Sequence, residues 1–74
     1  MKPGDLIEVV RNVTGGGKVR RAVRTGEIGM LIDTSYNSDL REVVRLWCNV
    51  LMVDGPIWIP GWCISKSAAE DETD

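Results

Sequence analysis

The chain has no histidine and no phenylalanine, and only one tyrosine among its 74 residues. Without histidine, the commonest general base and metal ligand are missing. Cys63 therefore has no evident base to activate it as a nucleophile. Asp33, Asp39 and Glu42 flank one loop, but their spacing fits no paired-carboxylate template, and solvated surface carboxylates are expected. We expect no enzyme, no cofactor and no small-molecule substrate. With so few aromatics, Val, Ile, Leu and Met must fill most of the interior.

Two cysteines are too few for a disulfide scaffold. They also fall short of the about four ligands that structural zinc takes. Cys48 and Cys63 are expected as buried free thiols; a disulfide between them, or a zinc site assembled across a dimer, are the alternatives. No apolar run approaches the ~20 residues that cross a bilayer. The start, Met1-Lys2-Pro3-Gly4-Asp5, lacks the apolar segment of a secretion signal. A cytoplasmic location without membrane contact is the expectation.

What is present concentrates in Val43 to Ile64, which holds all three tryptophans and both cysteines. Asp54-Gly55 between two apolar runs predicts a hairpin. Pro56 has no N–H to return to Val53, so a four-residue loop, Val53 to Pro56, is expected, closed by Met52 opposite Ile57. Val50 then opposes Ile59, and Trp58 opposes Leu51. Alternation turns Val44, Leu46, Cys48, Val50 and Met52 inward, with Ile57 and Ile59. Val43, Arg45, Trp47, Asn49, Leu51, Val53 and Trp58 turn outward. A one-residue slip would bury Arg45 and Asn49 unpaired, so the facing is firmly specified.

Pro60-Gly61 ends the second strand, and Trp62-Cys63-Ile64 resumes the apolar run after one tight turn. The segment Ile59-Pro60-Gly61-Trp62-Cys63-Ile64 resembles the end of SH3-type barrels. There an aliphatic-Pro-x-x-aromatic-aliphatic run makes a 3₁₀ turn before the last strand. Cys63 stands where that family carries its aromatic.

Upstream, Lys2-Pro3-Gly4-Asp5 reads as a turn and Leu6 to Arg11 as a β-branched-rich strand. Thr14-Gly15-Gly16-Gly17-Lys18 is followed by Val19, not by the Ser or Thr of a phosphate-binding loop, so a flexible hairpin tip is expected. Lys18 to Thr25 reads as a basic, irregular arm. Gly29 within Gly26 to Thr34 marks a bulge or bend of the kind barrel closure requires. This segment resembles the KOW motif of ribosomal and transcription-elongation proteins, a Gly-x-x-Gly-x-aliphatic pattern in an SH3-like barrel. Ser35 to Glu42 is a polar loop in which Asp39 to Glu42 has room for one helical turn. As a whole, the chain resembles short SH3-like barrel proteins of tailed phages, which open Lys-Pro-Gly-Asp-aliphatic and close on Trp-Cys-aliphatic.

The expected architecture is all-β: a small five-stranded SH3-like barrel over residues 1–66. Strands are expected near 5–12, 26–34, 43–53, 57–60 and 63–66, with a 3₁₀ turn before the last. Residues 67–74 hold four acids, no base and no bulky apolar side chain, and are expected as a disordered acidic tail. Eleven acids less those four leave seven against nine bases, so the body carries +2 while the chain carries −2.

Two functional readings follow. The first is a non-catalytic protein-interaction or assembly module, phage-encoded and in the host cytoplasm if the resemblance holds. Its partner is another protein or a second copy, met by Trp47, Leu51, Trp58 and Trp62. The alternative is a KOW-like nucleic-acid-binding module, with Lys18, Arg20, Arg21 and Arg24 on phosphates and Tyr36 stacking on bases. A proline-peptide SH3 role is not expected, because the first strand lacks aromatics and Cys63 replaces the groove tyrosine.

Overall fold

The computed structural model describes residues 2–39, 41 and 43–67. Five strands form: β1 (Leu6–Val9), β2 (Ile28–Tyr36), β3 (Leu46–Met52), β4 (Gly55–Pro60) and β5 (Ile64–Lys66). A 3₁₀ turn, Gly61–Cys63, links β4 to β5 as the Pro-Gly signal requires. All pairings are antiparallel, in the order β4-β3-β2-β1-β5. No ladder joins β4 to β5 among the described residues. The expected closed barrel is therefore an open sheet, curled around its inner face.

The inner face is what alternation dictates. Ile7 and Val9 of β1, Leu31 of β2, Cys48, Val50 and Met52 of β3, and Ile57 and Ile59 of β4 are all buried in one cluster. Cys63 and Ile64 join it from the turn and β5. A flat sheet without helices would leave these side chains wet, so the sheet must fold over itself. Val44 lies before β3 and outside the core cluster, and Leu46 also departs from the expected inward set. It is exposed at the start of β3, where its side chain lies against Gly61.

The hairpin keeps the expected facing but not the expected partners. Met52 pairs with Gly55, Val50 with Ile57, and Asn49 with Trp58. Trp58 thus opposes Asn49, not Leu51, which pairs with Pro56. The turn residues are Val53 and Asp54, and the positive φ falls on Gly55 (116°). A turn followed directly by a left-handed glycine needs no donor from Pro56. The pairing moves by two residues, an even number, so every side chain stays on its face.

Gly29 is not the bulge. The register shifts between Leu31 and Asp33, which leaves Ile32 as the extra residue. Gly29 is glycine for a different reason: a Cβ there would sit 2.5 Å from Val50 Cγ1 and 2.8 Å from the Leu51 carbonyl oxygen. β2 also runs on to Tyr36, past the expected end at residue 34.

Residues between β1 and β2 make an irregular arm held by two isolated bridges, Val13 with Val23 and Gly16 with Val19. Gly17 and Lys18 form its tip, where Gly16 and Gly17 take positive φ. Val13, Val19 and Val23 are buried in the common core, so the arm is part of the packed body. The Lys2 to Asp5 turn forms as expected, with the Asp5 carboxylate accepting from the Lys2 N–H at 3.0 Å. Ser67 is buried and donates its N–H to Leu6 at 2.9 Å, so it belongs to the sheet. The rest of the acidic tail and half of the expected turn at Asp39 to Glu42 lie outside the described residues.

Candidate functional site

Two surfaces need explanation: the arm laid over β3 and β4, and the outer face of β1, β2 and β3. The arm is fastened by its own arginines. Arg21 Nε donates to Asp54 Oδ2 at 2.7 Å, and its Nη2 reaches Glu27 Oε1 at 3.0 Å. Arg20 Nη2 donates to the Asp54 carbonyl at 2.7 Å, and Arg20 Nε to the Pro56 carbonyl at 3.2 Å. The basic arm is thereby stapled to the β3–β4 turn through charge-assisted bonds. The Arg21 hydrogen bond holds the Asp54 carboxyl down to about 2, and the same guanidinium lowers Glu27.

This predicts a pH dependence. The Asp54 value in the folded chain lies below the ordinary 3.8. Its contribution to stability is complete above that ordinary value and is lost as pH falls from about 4 to about 2. Denaturant midpoints measured across that window should fall less steeply for Asp54→Asn than for the natural chain.

Lys18, at the arm tip, lies over two tryptophans. Its Nζ is 5.6 Å from the Trp47 ring centre and 5.9 Å from that of Trp58. Both rings are half-buried, and Trp47 packs on the core. Asn49 lies between them, on the same face of β3 as Trp47 and opposite Trp58. Its Oδ1 is buried without a hydrogen-bond partner among the described residues. The arm thus covers two of the side chains read from the sequence as a partner surface. Trp58→Ala should therefore cost stability, by about 2 kcal/mol. Amide exchange at Val19 and Val23 should quicken as the arm loosens.

Leu51 and Trp62 remain exposed, the latter on the 3₁₀ turn beyond the end of β4. The four residues read as one partner surface therefore do not form a single exposed group. Nor do the five of the alternative. Arg20 and Arg21 are engaged with Asp54 and Glu27, and Lys18 lies over the rings. Arg24 is exposed, and Tyr36, 68% exposed, stands at the far end of β2. Cys48 and Cys63 are buried free thiols, and burial raises both above the ordinary thiol value. Buried, protonated sulfur is unreactive.

The larger uncovered surface shares Leu51 and Val53 with the outward set expected from the sequence and extends it across β1 and β2. Leu6 of β1 pairs with Met30 of β2, Met30 with Leu51 of β3, and Leu51 with Pro56 of β4. Each points away from the core, giving one apolar row across four strands. Ile28 and Ile32 flank Met30 on β2, and Val53 follows Leu51. Exposures run from 36% at Met30 to 48% at Ile28, and Val53 is fully open. Along these outer rows, between residues 6–8, 28–32 and 51–53, Glu8 carries the only charge. The signal was in the sequence. Ile28-Gly29-Met30-Leu31-Ile32 does not alternate, and reads as a strand apolar on both sides.

No protein-family model matches the sequence, and no curated protein matches it significantly. Among the described residues, no helix is long and apolar enough to cross a membrane.

Proposed function

We propose that the chain is a non-catalytic protein-interaction or assembly module whose contact surface is the outer face of β1, β2 and β3. The carrying observation is the uncovered row Leu6, Met30, Leu51 and Pro56, widened by Ile28, Ile32 and Val53. A contiguous apolar patch of this kind marks an interaction site on a small protein. The strand order and the 3₁₀ turn before β5 support an SH3-like origin. The resemblance to short barrel proteins of tailed phages suggests assembly in a host cytoplasm as the setting.

The nucleic-acid alternative has weaker support. Phosphate contacts need free guanidinium and ammonium groups. Asp54 and Glu27 occupy those of Arg20 and Arg21.

A photo-crosslinking side chain at Ile28, installed in the cells that make the protein, tests the proposed surface. A covalent adduct to a protein is expected, and it should disappear when Leu51→Glu is added. Recovery of uncrosslinked chain alone, at every dose of light, would remove the proposal.

A further inference from the structure

The contact between Lys18 and the two tryptophans leaves one polar atom over. Lys18 is exposed at the arm tip, yet its Nζ stands 5.6 Å from the Trp47 ring centre and 5.9 Å from that of Trp58. One cation therefore already lies over both rings, where their negative faces attract it. Between the rings, Asn49 Oδ1 is buried and accepts no hydrogen bond among the described residues. A buried amide oxygen without a donor costs free energy, and the Lys18 ammonium does not supply one.

The rows across the sheet add a charge. Asp33 of β2 pairs with Asn49 of β3, which pairs with Trp58 of β4. Cross-strand partners share a face, so a carboxylate, an amide and an indole stand in line, neighbours about 5 Å apart. Asp33 is exposed, and its Oδ1 accepts from the Thr34 N–H at 2.8 Å. It makes no ion pair among the described residues. The next bases along the arm, Arg20 and Arg21, are already neutralised by Asp54 and Glu27. Two rings, an unpartnered acceptor and an unpaired carboxylate suit a cation that carries N–H groups.

The need for a donor selects among cations. A quaternary ammonium suits aromatic faces but has no N–H for Asn49. A lysine ammonium is compact and strongly hydrated, and the resident one leaves Asn49 unmet. A guanidinium is flat, weakly hydrated and carries five N–H donors in its plane. It can lie on an indole face and turn N–H groups sideways towards Asn49 and Asp33. Lys18 must give way, but only its exposed side chain has to move. The backbone of the tip stays tied by the bridge between Gly16 and Val19.

We infer that Trp47, Trp58, Asn49 and Asp33 form a binding site for an arginine side chain of a partner protein, with Lys18 as a displaceable occupant. The inference goes beyond the apolar contact surface and does not depend on it, since neither Met30 nor Ile28 takes part. A single side chain held this way binds weakly, as one contact within a larger interface.

Nitrogen–proton correlation spectra of the full-length protein provide the test, because each of the three tryptophans has its own indole N–H signal. N-acetylarginine amide, titrated at constant ionic strength, should shift the Trp47 and Trp58 signals saturably and leave that of Trp62 in place. Lys18→Ser removes the resident cation and should bind roughly two- to fivefold more tightly. Asn49→Ala should bind about tenfold more weakly, although it melts no lower than the natural chain because an unpartnered buried atom is gone. Asp33→Asn should bind about threefold more weakly at low salt. Absence of a saturable shift in Lys18→Ser overturns the site, as does unchanged binding by Asn49→Ala. Equal binding of N-acetyllysine amide or tetramethylammonium overturns the choice of arginine. Free arginine binding more tightly than the capped form would make the ligand a small molecule and overturn the partner protein.

Discussion

Gly29→Val is expected to remove more than half of the protein's stability. The added Cβ would lie 2.5 Å from Val50 Cγ1, 2.7 Å from Met52 Sδ and 2.8 Å from the Leu51 carbonyl oxygen. The two side chains have some freedom to turn aside, but the carbonyl belongs to the β2–β3 ladder and cannot retreat without breaking it. Overpacking at a backbone contact of this kind costs about 3 kcal/mol or more. A domain this small has only about 5 kcal/mol to lose. Urea unfolding followed by tryptophan fluorescence should show a midpoint less than half that of the natural chain. A midpoint within the error of the natural chain would mean that β2 and β3 do not approach as described.

Ile59→Ala is the second large effect. Ile59 is fully buried on β4, paired with Cys48 and one residue before Pro60. Truncating a buried isoleucine loses its transfer free energy and leaves a cavity, about 3–4 kcal/mol together. Neighbouring elements make collapse difficult, since the 3₁₀ turn holds Cys63 in the same cluster. Leu51→Ala, on the opposite side of the same hairpin, should change stability by less than about 1 kcal/mol in dilute solution. Equal losses at the two positions would contradict the separation of the faces.

The facing of the central hairpin was legible because β3 alternates cleanly: Cys48, Val50 and Met52 against Trp47, Asn49 and Leu51. Its pairing was not. Asp54-Gly55 announces a turn, but whether glycine serves as a turn residue or as the residue after it is decided by the dihedral it takes. Gly29 was ambiguous for a related reason. A glycine inside a strand marks either a bulge or a close approach, and only the neighbouring strand decides between them. The arm was least legible. Arg21 lies 33 residues from Asp54, and no local pattern connects them. The tryptophans drew attention by their size, yet Lys18 and the arm cover two of them. The row through Met30 needed only the observation that β2 is apolar at five consecutive positions, counting Gly29.

Adjacent residues of β2 provide the most direct measurement. Met30 looks outward and Leu31 is fully buried. Thermal unfolding of Met30→Lys and Leu31→Lys should be recorded beside that of the natural chain. Met30→Lys should melt cooperatively within a few degrees of the natural chain, having lost only its outer contact. Leu31→Lys buries an unpaired ammonium and should show no cooperative transition. A stable Leu31→Lys beside an unfolded Met30→Lys would invert the sheet, and the docking face would lose its basis with it.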